Sequence, residues 1–235
     1  LPASAYVQNG LVAQWDGVEN AGEGMHDPDA TTWKALVGDI DFPLSGCEVS
    51  ADTISIPSGV SPTVELSVFG SPTYSQPTTI EFNWATPDLP EASSYSDYSL
   101  FAADESYFYR QNNTQAIFPV LKKGSPNKHW SRYAYSTAEQ RVFATASFVN
   151  GATALTDCGF YYNGSRRERV NDATTSTLSA IRQRTSLCLS TGSRSYAVKY
   201  RSIRIYNRVP TADEIAINSN IDKIRFDGAD PTGLS

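Results

Sequence analysis

At 235 residues, with 19 basic and 25 acidic side chains and a net charge of −6, the chain lacks the electropositive footprint of a nucleic-acid binder, and an anionic membrane would repel it. No apolar run approaches the ~20 residues of a membrane-spanning helix, so membrane insertion through helices is not expected. The length suits one large all-β domain that buries its core without staples, and a composition leaning on Tyr, Phe, Trp, Ser and Thr, with one Met, favours pleated surfaces over helices.

The chain opens Leu1-Pro-Ala-Ser-Ala-Tyr6, a start that reads either as the remainder after removal of a preceding segment or as a cut made within a longer chain. Leu11 to Asp16 alternates Leu11, Ala13 and Trp15 against Val12, Gln14 and Asp16, the period of a half-buried strand. A long loop is expected over 17–35. Further strands are expected at 53–56, 63–68, 79–84, 99–103, 106–110, 116–121, 141–149, 159–162 and 186–190, with long loops over 85–98 and 165–182. In the strand over 79–84, Ile80, Phe82 and Trp84 share one face and Thr79, Glu81 and Asn83 the other. Gly46, Pro57-Ser-Gly59, Gly70-Ser-Pro72, Asn150-Gly151 and Asn163-Gly164 supply turn chemistry between them. A closing strand carries Ile203 and Ile205 on one face. After Pro210 a helix is predicted: Thr211 and Glu214 have capping-box spacing, and Ile217, Ile221 and Ile224 recur at i, i+4 and i+7, which predicts an apolar face. Residues 227–235 read as a linker-like tail. About a dozen short strands and a late helix, with no repeat and no internal boundary, indicate a single all-β domain, a two-sheet antiparallel sandwich.

Chemistry-bearing residues are sparse. The three cysteines exclude a complete disulfide framework, and Cys158 and Cys188 either pair or are buried thiols. His26 and His129 are the only histidines, each read as a loop residue, and no Gly-x-Ser-x-Gly elbow or His/Cys zinc spacing occurs. Trp15, Trp33 and Trp84 are expected in the core. Two aromatic groups remain as candidate ligand residues: Trp130, Arg132, Tyr133 and Tyr135 after the turn at 124–128, and Tyr107 and Tyr109, which share a strand face. Flat rings with polar neighbours suit the apolar faces and hydroxyls of sugars.

Five segments in order then resemble one family. Gly10-Leu-Val-Ala-Gln-Trp-Asp-Gly17 resembles an opening strand, and Thr32-Trp-Lys-Ala-Leu-Val-Gly38 a "W-x-D-L-x-G" segment in which Ala35 replaces the acidic residue. Thr79 to Trp84 resembles a central strand, Tyr161-Tyr-Asn-Gly164 a "Y-V-N-G" hairpin, and Ser202-Ile-Arg-Ile-Tyr-Asn-Arg-Val-Pro-Thr-Ala-Asp-Glu-Ile215 a closing motif, with Pro210 where Leu is usual. Together, over about residues 6–226, they resemble the laminin-G-like (LamG) jelly rolls of the concanavalin A-like lectin/glucanase superfamily, in bacterial secreted or cell-surface form. The resemblance implies a jelly-roll β-sandwich with a short C-terminal helix, a module of a larger chain, and a glycan or another surface protein as partner. It also implies calcium as the metal to look for, with Asp16, Asp27 and Asp29 as ligands. The superfamily's retaining glucanases place two carboxylates on an E-x-D-x-x-E strand, about 5–5.5 Å apart across the sugar bond. That spacing is absent here. The sequence therefore favours a non-catalytic carbohydrate-binding module over an adhesin-type interaction module, and both over a divergent glycoside hydrolase.

Overall fold

A computed structural model describes residues 1–65, 78–85, 97–103, 106–111, 116–121, 128–129, 133–134, 141–148, 159–166, 186–189 and 197–230. In chain order the early strands are β1 (Leu11–Asp16), β2 (Thr32–Trp33), β3 (Phe42–Pro43), β4 (Glu48–Val49), β5 (Ile54–Ile56) and β6 (Thr63–Glu65). The middle of the chain gives β7 (Thr78–Ala85), β8 (Asp97–Ala103), β9 (Ser106–Gln111), β10 (Ala116–Leu121), β11 (Lys128–His129) and β12 (Tyr133–Ala134). β13 (Arg141–Phe148), β14 (Gly159–Tyr162), β15 (Ser165–Arg166), β16 (Ser186–Cys188) and β17 (Val198–Tyr206) follow, and helix α1 (Ala212–Asp227) closes the chain.

The strands form two antiparallel sheets. The first runs β15-β14-β13-β7-β17-β5-β4, with β1 also paired to β17; the second runs β11-β10-β9-β8-β16-β6, with β12 on β10. β2 and β3 make a separate ribbon. One apolar core draws on both sheets: Trp15, Ile54, Ile56, Ile80, Phe82, Ile203 and Ile205 from the first, Val64 and Leu187 from the second, and Trp33 and Phe42 from the ribbon. Trp15 meets Phe42 edge to face, with ring centroids 4.8 Å apart, a contact that adds to the area both bury. This is the β-sandwich expected from the strand pattern. Trp84 stands on β7, but its side chain lies outside the described residues.

β17 shows how the alternation survives a fault in register. Val198 and Tyr200 face the core, and so do Ile203 and Ile205, although their parity differs. The pairing with β7 skips a residue between Tyr200 and Ser202, a bulge that turns the parity over and leaves Arg201 and Ser202 both on the far side.

Helix α1 packs on that far side of the first sheet. Its capping box is complete: Glu214 N–H donates to the Thr211 hydroxyl at 3.2 Å, and Thr211 N–H donates to Glu214 Oε2 at 2.7 Å. Gly228 ends the helix in the left-handed region at φ 68°. The expected apolar stripe is corrected here. Ile221 is buried and Ile224 half-buried, but Ile217 is 45% exposed. The buried face is Ile215, Asn218, Ser219, Ile221, Asp222 and Phe226, half of it polar, because the sheet surface beneath is itself polar.

The Asn163-Gly164 turn between β14 and β15 also seats against α1. Asn163 and Gly164 both adopt positive φ, 50° and 79°, as a primed hairpin turn requires. A Cβ on Gly164 would stand 2.9 Å from that of Ser219, so the bare backbone lets the hairpin approach the helix.

Candidate functional site

Strand register sorts the expected ligand aromatics. Directly paired residues in a sheet share a face. Cys188 of β16 pairs with Ala102, Ala102 with Tyr107, and Tyr107 with Val120, which pairs with His129. Cys188 lies between Leu187 and Leu189, both wholly buried in the core. The row from Cys188 to His129 therefore belongs to the face of the second sheet turned away from the core. Tyr109, two residues along β9 and paired with Phe118, belongs to the same face. Tyr133 pairs with Ile117, the neighbouring register position, and so belongs to the opposite face. The register thus brings Tyr107 and Tyr109 together and separates Tyr133 from them. Trp130, Arg132 and Tyr135 lie outside the described residues, as does Cys158.

The three expected calcium ligands do not come together. Asp16 is wholly buried; its Oδ1 accepts from Val18 N–H at 2.9 Å, Glu19 N–H at 3.1 Å and Arg225 Nη2 at 2.7 Å. Burial raises its carboxyl above the ordinary range, against the pull of Arg225. Asp27 and Asp29 are exposed on the loop, where Asp27 Oδ1 accepts from Asp29 N–H at 2.9 Å and the Asp27 backbone is gripped on both sides by the Asn20 amide. Asp16 thus turns, with Glu19, to Arg225 rather than to Asp27 and Asp29. Among the described residues no group of three His, Cys, Asp or Glu side chains is placed to hold a metal ion.

A concentration of buried charge lies where the sequence singled out no site. Beneath α1, Arg204 of β17 donates from Nε to Glu81 Oε2 at 2.9 Å and from Nη2 to Asp222 Oδ2 at 3.1 Å, with all three side chains sealed from solvent. Asn218 donates to Glu81 Oε2 at 2.8 Å, and the Thr145 hydroxyl to Glu81 Oε1 at 3.3 Å. The Tyr6 hydroxyl donates to Asp222 Oδ1 at 2.5 Å. Burial raises the Glu81 carboxyl, opposed by Arg204. Burial also works against the charge on Arg204, but Asp222, Tyr6 and Glu81 together hold the guanidinium well above its ordinary value. A second centre joins Arg225 to Asp16 and to Glu19 at 3.2 Å. Glu19 also accepts from Ala3 N–H at 2.7 Å and Gly24 N–H at 3.0 Å. Against the effect of burial, those amides and Arg225 lower its carboxyl. Alternation had placed Glu81 only on the face opposite Ile80 and Phe82; no local signal said that a helix would cover it or that Arg204 would meet it there. Glu81 and Asp222 lie under a helix with an arginine between them, closed to a glycosidic bond.

No family model matches the chain, and no curated protein matches it in sequence. Solved structures do resemble it. Trypanosoma rangeli sialidase superposes with a TM-score of 0.63 at 12% identity, over 94% of this chain and 34% of the sialidase. A mutant of HCR/D superposes with a TM-score of 0.60 at 12% identity, over 92% of this chain and 52% of that one. The binding domain of botulinum neurotoxin DC in complex with SialylT matches at 0.52 and 12% identity, over 72% of this chain and 42% of that one. The chain therefore spans 34% of the sialidase, 52% of the HCR/D chain and 42% of the botulinum neurotoxin DC chain. At this identity the likeness establishes the architecture: this chain is a β-sandwich of antiparallel sheets with one C-terminal helix, of the kind seen in those proteins.

Proposed function

We propose that the chain is a non-catalytic carbohydrate-binding module of a larger secreted or surface-displayed bacterial protein, and that it binds glycan on the outward face of its second sheet. The observation that carries this reading is the register row that puts Tyr107 and Tyr109 on one face, away from the core. Two rings spaced along a strand offer a platform for successive sugar rings, and the first sheet has its corresponding face occupied by α1. Neighbours of the same architecture support it, since they include Trypanosoma rangeli sialidase in complex with sialic acid and the toxin domain in complex with SialylT. The lack of an E-x-D-x-x-E spacing in the sequence favours binding over hydrolysis within this chain.

A glycan array probed with the wild-type chain and with the Tyr107→Ala and Tyr109→Ala variants tests the reading. Binding to a restricted glycan set is expected, weakened about tenfold by either substitution, which corresponds to about 1.4 kcal/mol. Tyr133→Ala serves as the comparison from the other face. A wild-type chain that binds no glycan, or tyrosine variants that bind like wild type, would sink the proposal.

A further inference from the structure

An open cleft of about 390 Å³ lies at the end of the β2–β3 ribbon, beside β4, the edge strand of the first sheet. It is walled by residues 28–31 on one side and 44–47 on the other, with Val49 between them. We propose that this cleft binds a neutral hexopyranose, as a site separate from the Tyr107–Tyr109 face and independent of it.

The lining has the two components such a sugar needs. The floor is apolar: Leu44 is buried in the main core, and Ala30, Cys47 and Val49 are half-buried against it. That surface matches the C–H face of a pyranose. The rim is polar and unengaged. Asp16, Glu19, Asp27 and Asp41 all have carboxylate oxygens accepting hydrogen bonds from the protein. Among the described residues the side chains of Asp29, Thr31 and Ser45, all of which line the cleft, have no such partner. A carboxylate accepts from two adjacent sugar hydroxyls, and the Ser and Thr hydroxyls both donate and accept. Asp29, with Asp27 beside it in a chain of net charge −6, selects against anionic sugars.

The walls are also set in advance. Leu44 N–H donates to Thr31 O at 3.0 Å and Cys47 N–H to Leu44 O at 2.9 Å, tying the two sides together. Gly46 turns at φ 78°, with a Val60 methyl 3.2 Å from where a Cβ would stand. Little ordering is left for a ligand to impose, and the volume falls at the small end of the range for ligand pockets, about 300–1,000 Å³.

Cys47 reports on occupancy. It lines the cleft, and burial pushes its thiol up to about 11, so its alkylation at neutral pH is slow, and a ligand seated against it slows it further. The rate of N-ethylmaleimide addition at Cys47, read by peptide mass, is measured with D-glucose, D-galactose or D-mannose as probe and D-glucuronate as the anionic comparison. At least one neutral hexose is expected to slow Cys47 labelling several-fold and saturably, leaving Cys188 labelling unchanged; glucuronate has no effect. Asp29→Asn and Ser45→Ala abolish the protection while keeping the wild-type emission of the buried Trp15 and Trp33. The proposal is overturned if no hexose protects Cys47, if glucuronate protects it equally, or if protection persists in both variants. Tyr107→Ala leaves Cys47 protection intact, so failure on the glycan array and failure here are read separately.

Discussion

The Arg204 guanidinium lies over the Tyr6 ring, 3.9 Å from its centroid, and so joins the penultimate structural element of the chain to its first residues. Residues 1–8 form no sheet pairing beyond a single turn of 3-10 helix, yet they are held at many points. Val7 N–H donates to Asn218 Oδ1 at 2.9 Å, the Tyr206 hydroxyl to Val7 O at 3.0 Å, and the Gln14 amide to Ala3 O at 2.9 Å. Arg225 adds a bond to Leu1 O. The segment works as a strap that seals the charged layer between α1 and the sheet.

Tyr6→Phe removes the hydroxyl bonded to Asp222 but keeps the ring beneath Arg204. A loss of about 2 kcal/mol is expected, since a hydrogen bond to a charged group contributes about 1.5–3. Tyr6→Ala also removes the ring and is expected to lose about 3–5 kcal/mol. Urea unfolding of both variants at neutral pH measures the difference; equal losses would deny the hydroxyl its part.

Arg204→Met strands Glu81 and Asp222 together without a cation. A loss of about 3–5 kcal/mol is expected, the size found when one partner of a buried pair is removed. Glu81→Gln leaves Arg204 its bond to Asp222 and removes a carboxyl already raised by burial, so it is expected to cost about 1 kcal/mol. Thermal unfolding that ranked the two variants the other way would contradict this charge balance.

Stability should fall at both ends of the pH scale, for opposite reasons. The Cys47 thiol is raised by burial from 9.0 to about 11, and Tyr6, raised by burial and then by Asp222, lies well above 10. The folded state holds these protons longer than the unfolded one. Their contribution is complete below about pH 9 and is lost as pH rises through 11 and beyond. Glu214 is lowered to about 2 by its bonds from Arg208, so its contribution is present above pH 4.5 and is lost as pH falls towards 2. Its side chain is partly exposed, and the raised carboxyls of Asp16 and Glu81 act in the opposite sense as pH falls, so the net acid loss is small. Melting temperatures from pH 2 to 12 should show a gentle acid shoulder and a steep alkaline edge, and Tyr6→Phe should soften the alkaline edge.

Gly164→Ala tests the seating of the hairpin on α1. The variant meets backbone strain at φ 79° and the Ser219 side chain together. Gly59→Ala meets the strain alone, because φ is 80° but nothing lies within 4 Å of the new methyl. A loss of about 2–3 kcal/mol is expected for the first and about 1 kcal/mol for the second, by denaturant unfolding. Equal losses would mean that the hairpin does not bear on the helix.

The sandwich was legible because strand alternation and turn residues are local. Trp15, Trp33, Ile80 and Phe82 lie in the core as the pattern implied, and the Thr211–Glu214 cap formed as its spacing implied. The buried side of α1 was not legible. A helix chooses its inward face by what it covers, and here it covers Glu81, Arg204 and Ser202, so Asn218 and Asp222 go in and Ile217 stays out. Asp16 misled for a similar reason: its partner Arg225 lies 209 residues away, and nothing near Asp16 announces it. The aromatic candidates were half legible. Period 2 joined Tyr107 to Tyr109, but only the pairing of β10 with β9 and β12 shows that Tyr133 belongs to the other face.

The placement of β17 governs how the chain reaches this state. Its hydrogen-bonding edges serve β7 on one side and β1 and β5 on the other, with Leu11 opposite Tyr206. The strand at the centre of the first sheet therefore follows, in chain order, every strand it joins. Until it pairs, β1, β5 and β7 each keep an open edge, and the sheet closes through contacts of long sequence separation, a slow route that exposes those edges to misassociation and makes chaperone protection valuable.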